Sequence, residues 1–187
     1  MRWKSLFLSS ALLSSLAVLT VACRESNDAS NETVMDGSWT TACLPADSNT
    51  AATHVLSSRI VYTFGGDHEV TRETLGFSDA GCQTRVSTLS HVGEFALQVR
   101  NEVSLYTIDF TFDEVVAEPL TAELAEAWSA ESFCGIASWT ADGPQSVLGK
   151  AGEGCPSFGT TRIFYEDIVQ VAPGIGLRFG NILNNTL

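Results

Sequence analysis

Basic residues are scarce in this chain. Ten Lys+Arg stand against 22 Asp+Glu in 187 residues, a formal net charge of −12. Such an acidic chain is repelled by phosphate backbones, which sets nucleic-acid binding aside. Histidine is scarcer still: His54, His68 and His91 lie far from any cysteine in sequence, and no C-x-x-C pair occurs, so no metal is expected. The D-x-D-x-D-G pattern of a calcium loop is absent. So is the Gly-x-Ser-x-Gly elbow of a serine hydrolase. Gly149, Gly152 and Gly154 lack the Lys-Ser/Thr ending of a phosphate loop. His54 falls in a polar loop, His68 beside a hairpin turn and His91 next to a turn glycine, so all three read as surface residues. Acidic pairs such as Asp113-Glu114 and Glu166-Asp167 read as a solvated face, since 22 acids are spread along the whole chain. No catalytic residue and no cofactor are expected.

What is present begins at the N-terminus. Arg2 and Lys4 precede an uncharged run from Ser5 to Ala22, the layout of a secretory signal peptide. Five serines (Ser5, Ser9, Ser10, Ser14 and Ser15) make that run a weak permanent anchor. It ends in Leu19-Thr20-Val21-Ala22-Cys23, which resembles the lipobox of bacterial lipoproteins, with Thr20 in place of the usual Leu. The resemblance implies cleavage before Cys23, lipidation of Cys23 and attachment to a membrane through its acyl chains. Arg24, rather than Asp, follows Cys23, which in that family points to the outer membrane. Cleavage after residue 22 leaves 8 basic and 22 acidic side chains, a net −14. The expected organisation is a signal peptide over 1–22, a lipidated, disordered tether over 23–36 and a folded domain over 37–187. The tether, Glu25 to Asp36, is polar and has little to bury.

With Cys23 assigned to lipid, Cys43, Cys82, Cys134 and Cys155 remain. Four cysteines in an exported chain read as two disulfides, with three possible pairings. The nearest-neighbour arrangement, Cys43–Cys82 and Cys134–Cys155, is favoured because each bond then staples one half of the domain.

The body of the domain has a period of two. Ile60, Tyr62 and Phe64 alternate with Arg59, Val61 and Thr63, and the run stops at Gly65-Gly66-Asp67 before a second one, His68 to Phe77. Gln83 to Ser90 and Glu94 to Arg100 flank Val92-Gly93. From Glu102 to Asp113, Tyr106, Ile108, Phe110 and Phe112 face one way and Thr107, Asp109, Thr111 and Asp113 the other. Ser38 to Leu44, Cys134 to Thr140, Arg162 to Val171 and Ile175 to Phe179 complete about nine candidates, of which two can merge. One short helix is expected within Glu118 to Phe133, after Pro119. Short strands joined by hairpins in about 150 residues give an all-β fold. The expected form is an antiparallel up-and-down barrel of about eight strands with one short helix, because closure removes exposed edges.

Gly37-Ser38-Trp39 resembles the G-x-W element of lipocalins, in which the Trp plugs one barrel end. That likeness implies a basic residue over the Trp, a position Arg178 in Gly176-Leu177-Arg178-Phe179-Gly180 would fill by a cation–π contact. The chain is also similar to small secreted bacterial lipoproteins of unknown activity. It shares with them a Trp-x-x-x-Cys start (Trp39 to Cys43), Ser78-Asp79-Ala80-Gly81-Cys82, Cys134-Gly135 and a terminal Leu-x-Phe-Gly. This resemblance implies a lipocalin-like barrel and supports the Cys43–Cys82 pairing.

Two functions fit. One is a non-enzymatic, membrane-anchored envelope lipoprotein binding a small apolar ligand or an envelope component. Tyr106, Phe110 and Phe112, with Trp39 and Arg178, would then line the site, although the three strand aromatics can equally fill the core. The other is a protein inhibitor of a basic enzyme such as lysozyme, engaged by acidic complementarity. Trp128 and Trp139 are candidates either to cap a barrel mouth or to anchor a partner.

Overall fold

The structure, a computed structural model, describes residues 35–46, 54–99, 105–152, 155, 163–172 and 176–180. Among the described residues nine strands form one antiparallel sheet: β1 (Gly37–Thr40), β2 (Leu44–Pro45), β3 (Ser57–Phe64), β4 (Glu69–Phe77), β5 (Arg85–Val99), β6 (Leu105–Pro119), β7 (Gln145–Ser146), β8 (Ile163–Ala172) and β9 (Gly176–Gly180). The order across the sheet is β1-β3-β4-β5-β6-β8-β9, with β2 beside β3 and β7 beside β6. Among the described residues the fold is all-β apart from one helix, α1 (Ala122–Ala130), and two 3₁₀ turns.

The meander arises as the alternation predicts, but closure does not follow. Among the described residues β1 pairs only with β3 and β9 only with β8, so the sheet is open rather than a barrel. Closure needs a ladder between the first and last strands at a fixed stagger. Here the first edge is divided between a four-residue and a two-residue strand, and the last strand has five residues. Short edges of this kind also offer little backbone for unwanted pairing.

Val92-Gly93 is no turn. β5 runs straight through it as a 15-residue strand, paired along its length with the 15-residue β6. The register slips there: Val92 lies opposite Glu114 and Gly93 opposite Phe112, leaving Asp113 as the extra residue of a β-bulge. A bulge changes which alternate residues face the core. Before it, Ile108, Phe110 and Phe112 are buried; after it, Val115 and Ala117 are. One face of β6 therefore stays apolar across a parity change that alternation alone does not show.

Helix α1 begins at Thr121, whose hydroxyl accepts a hydrogen bond from the Leu124 N–H at 3.2 Å. It buries Leu124, Ala125 and Trp128. Trp128 stacks on Phe133 at 4.3 Å and meets Trp139 edge-on at 4.9 Å. The expected strand over Cys134 to Thr140 is absent. In its place is a 3₁₀ turn, Phe133–Gly135, in which Cys134 and Gly135 both have positive φ. Such a backbone reverses direction and cannot continue as a strand. Met35, on the tether side of the expected boundary, is fully buried in the core. The folded domain therefore already includes Met35.

Both disulfides have the favoured pairing. Cys43–Cys82 and Cys134–Cys155 have Cα–Cα distances of 5.8 and 4.7 Å, within the range a disulfide spans. The first ties the segment between β1 and β2 to the loop after β4. In that loop the Asp79 carboxylate accepts the backbone N–H groups of Gly81, Gln83 and Thr84. The Thr84 N–H, at 2.6 Å, is the largest cause of a carboxyl held below its ordinary pKa.

Candidate ligand-binding face

Register places Tyr62 of β3 opposite Arg72 of β4, and Arg72 opposite His91 of β5. These three form a polar row across one face of the sheet. The same face carries Phe64, Val70, Phe95, Phe110 and Phe112, all buried. The four phenylalanine rings make a continuous cluster with that of Tyr62. Tyr62 lies 5.9 Å from Phe64 and 5.7 Å from Phe110, Phe110 lies 5.7 Å from Phe112, and Phe64 meets Phe95 edge-on at 5.0 Å. Aromatic pairs at these separations contribute about 0.5–1.5 kcal/mol each beyond their area burial. Tyr62, Trp39 and Tyr106 are half-buried and pack against this core, so they form its accessible border.

The sequence-predicted residues divide among core, border and undescribed positions. Phe110 and Phe112, at 4% and 1% exposure, belong to the core. Tyr106 stands at the border, opposite Val99 on one side and Val169 on the other. Trp39 pairs with Tyr62 across β1 and β3, and its indole N–H donates to the Met35 carbonyl at 2.9 Å. Arg178 pairs with Gln170 in the β8–β9 ladder; its side chain, and therefore the expected contact with Trp39, lies outside the described residues, as does Cys23. Trp128 and Trp139 are buried at 4% and 5% exposure and belong to the same hydrophobic core as the sheet residues, rather than to an exposed partner patch. Asp113 and Glu114 are exposed. Among the described residues no group of three His, Cys, Asp or Glu side chains converges as a metal site.

Sequence reasoning missed two members of the polar row. His91, read as a surface residue, is 1% exposed and packs edge-on against Phe112 at 5.2 Å. The Val92-Gly93 bulge, unlike a turn, keeps it within the strand. Arg72 carries no local signal except that it alternates with Val70 and Thr74.

Burial, and secondly the positive charge of Arg72, push the His91 pKa from 6.5 to about 4. The imidazole is neutral at pH 7. In the unfolded chain it takes up a proton near 6.5, while the folded state resists protonation down to about 4. Stability is therefore full above pH 6.5 and falls as pH drops through that window, by about 1.4 kcal/mol per pH unit. Urea denaturation at pH 7 and pH 4.5 should show a loss of about 2–3 kcal/mol from this source, and His91→Gln should remove most of the difference. An equal pH slope in both chains would mean that His91 is not held neutral. The contribution of Asp79 is lost only at still lower pH, because its carboxyl titrates below the ordinary value.

No protein-family model matches the chain, and no curated protein matches it.

Proposed function

We propose that this protein is a lipoprotein of the cell envelope, lipidated at Cys23 and held at the outer membrane, that binds a small apolar ligand or an envelope component without transforming it. The observation that carries the binding reading is the border of half-buried Trp39, Tyr62 and Tyr106 around a buried aromatic stack. Half-buried aromatics present wide apolar area at little cost in side-chain entropy, which suits capture of an apolar group. Two disulfides suit an oxidising compartment outside the cytoplasm. The run ending at Ala22-Cys23 supplies the resemblance on which the address rests.

Two measurements test the two halves of the reading. Labelled palmitate should enter the wild-type chain and not Cys23→Ser. The purified protein should enhance the fluorescence of N-phenyl-1-naphthylamine, and Tyr106→Ala should weaken that binding about tenfold, as expected for removal of a contact residue. Unlabelled wild-type protein would overturn the address. Equal probe affinity in both chains would overturn the site.

A second reading, inhibition of a basic enzyme such as lysozyme, draws on the exposed Asp113-Glu114 pair at the bulge of an acidic chain. Added in equimolar amount, the protein should then inhibit lysozyme, and Asp113→Asn with Glu114→Gln should relieve the inhibition while leaving the naphthylamine signal unchanged.

A further inference from the structure

Arg72 is an unusual residue for the face it occupies. Its position lies between Tyr62 and His91 in register, beside the aromatic stack, whereas Glu73 falls on the alternate face. Its Nε donates to the Tyr62 hydroxyl at 3.1 Å and its guanidinium carbon lies 5.9 Å from the Tyr62 ring centroid. Among the described residues no carboxylate reaches it within ion-pair distance. The chain has more than twice as many acids as bases, so a half-buried guanidinium with a hydroxyl and a ring as partners is an uncommon arrangement here.

A guanidinium has five donors in a planar fork matched to two oxygens of one anion, and the Tyr62 hydroxyl uses one of them. Holding Nε fixes the plane of the fork, so the remaining donors are oriented in advance. Burial costs a cation free energy unless a counter-charge offsets it. Neutral His91 supplies no second positive charge and no competing acid.

We propose that the occupant of this face is a single-chain amphiphile with a carboxylate head, the head on Arg72 and Tyr62 and the chain along the half-buried Trp39–Tyr62 border. This rests on the apolar-ligand reading given above and names the chemistry of that ligand. The net charge of the protein does not oppose it strongly. Exposed acids more than about 8 Å away are largely screened at physiological salt, whereas a direct guanidinium–carboxylate pair is not. The guanidinium then selects the head, and the half-buried aromatic rings offer apolar contact to the chain.

Calorimetric titration of the full chain carrying Cys23→Ser, which removes any acyl group that would compete, tests this with three probes of equal chain length. Laurate is expected to bind at least tenfold tighter than dodecanol, and dodecylammonium weaker than either. Arg72→Gln should lower laurate affinity about tenfold or more and leave dodecanol unchanged, while Arg72→Lys keeps most of the preference. Tyr62→Phe, the milder change should Arg72→Gln fail to fold, should cost laurate several-fold and dodecanol little. Laurate and dodecanol binding equally, with no response to Arg72→Gln, would overturn the carboxylate assignment and leave the apolar-ligand reading standing. Failure of every probe to bind would overturn both.

Discussion

Loss of both disulfides is expected to cost the folded chain about 7 kcal/mol, more than half the stability of a typical domain of this size. The bonds close loops of 39 and 21 residues. On the chain-entropy model they remove about 4 and about 3 kcal/mol of unfolded-state freedom, respectively. The two effects should be separable, because the bonds hold different structures. Cys43–Cys82 fixes the short β2 and the Asp79 loop against the end of β3, where Ser57 also donates to the Asp79 carbonyl at 2.5 Å. Cys134–Cys155 holds the turn that carries Phe133 against Trp128 and Trp139. Urea midpoints for the paired alanine variants at 43/82 and at 134/155 measure each contribution. The 134/155 pair should also lose near-ultraviolet circular dichroism from the tryptophan cluster while keeping the far-ultraviolet signal of the sheet. Midpoints unchanged by reductant would show that burial alone sustains both regions.

Much of the sheet was legible because its residues report on local geometry. Tyr106, Ile108, Phe110 and Phe112 alternate without interruption, and the backbone follows them as a strand. Gly65-Gly66-Asp67 ends one apolar run before another, and the chain does reverse there. Pro119 and Thr121 mark the start of α1, with Thr121 as its cap.

Features that depend on a distant partner were not legible. Closure into a barrel depends on whether the first and last strands meet, and nothing in either strand encodes that. Met35 lies beside Val34 in an otherwise polar segment, and only the place it fills in the core, with its carbonyl accepting from the Trp39 indole, shows that it folds with the domain. Arg72 and His91 gain their meaning from the register of three strands, which brings them together from positions 19 residues apart. Cys134 to Thr140 misled because Ile136 and Trp139 are strand-forming residues, yet the disulfide and the left-handed backbone at Cys134 override that propensity.

Gly93 is the residue through which one local choice controls the whole aromatic face of the sheet. A Cβ there would overlap the backbone carbonyl oxygen of Thr111 and lie 2.7 Å from the Phe112 Cα. These are main-chain atoms of the paired strand, so no rotamer change relieves the overlap; β5 and β6 would have to separate or the bulge move. Gly93→Ala is therefore expected to destabilise by about 3 kcal/mol or more, at the severe end for overpacking. Gly66→Ala, where an added Cβ meets nothing within 4 Å, should stay within about 0.5 kcal/mol and serves as the control. A displaced bulge also reassigns faces. His91, two residues before Gly93, would lose its packing on Phe112, and its pKa should rise from about 4 toward 6.5 as water returns. Following the His91 ring protons by NMR across pH 3.5–7.5 in the Gly93→Ala chain reads this directly. A histidine still titrating near 4 in a chain of normal stability would mean that the bulge tolerates a methyl group and that something other than Gly93 sets the register of β5 on β6.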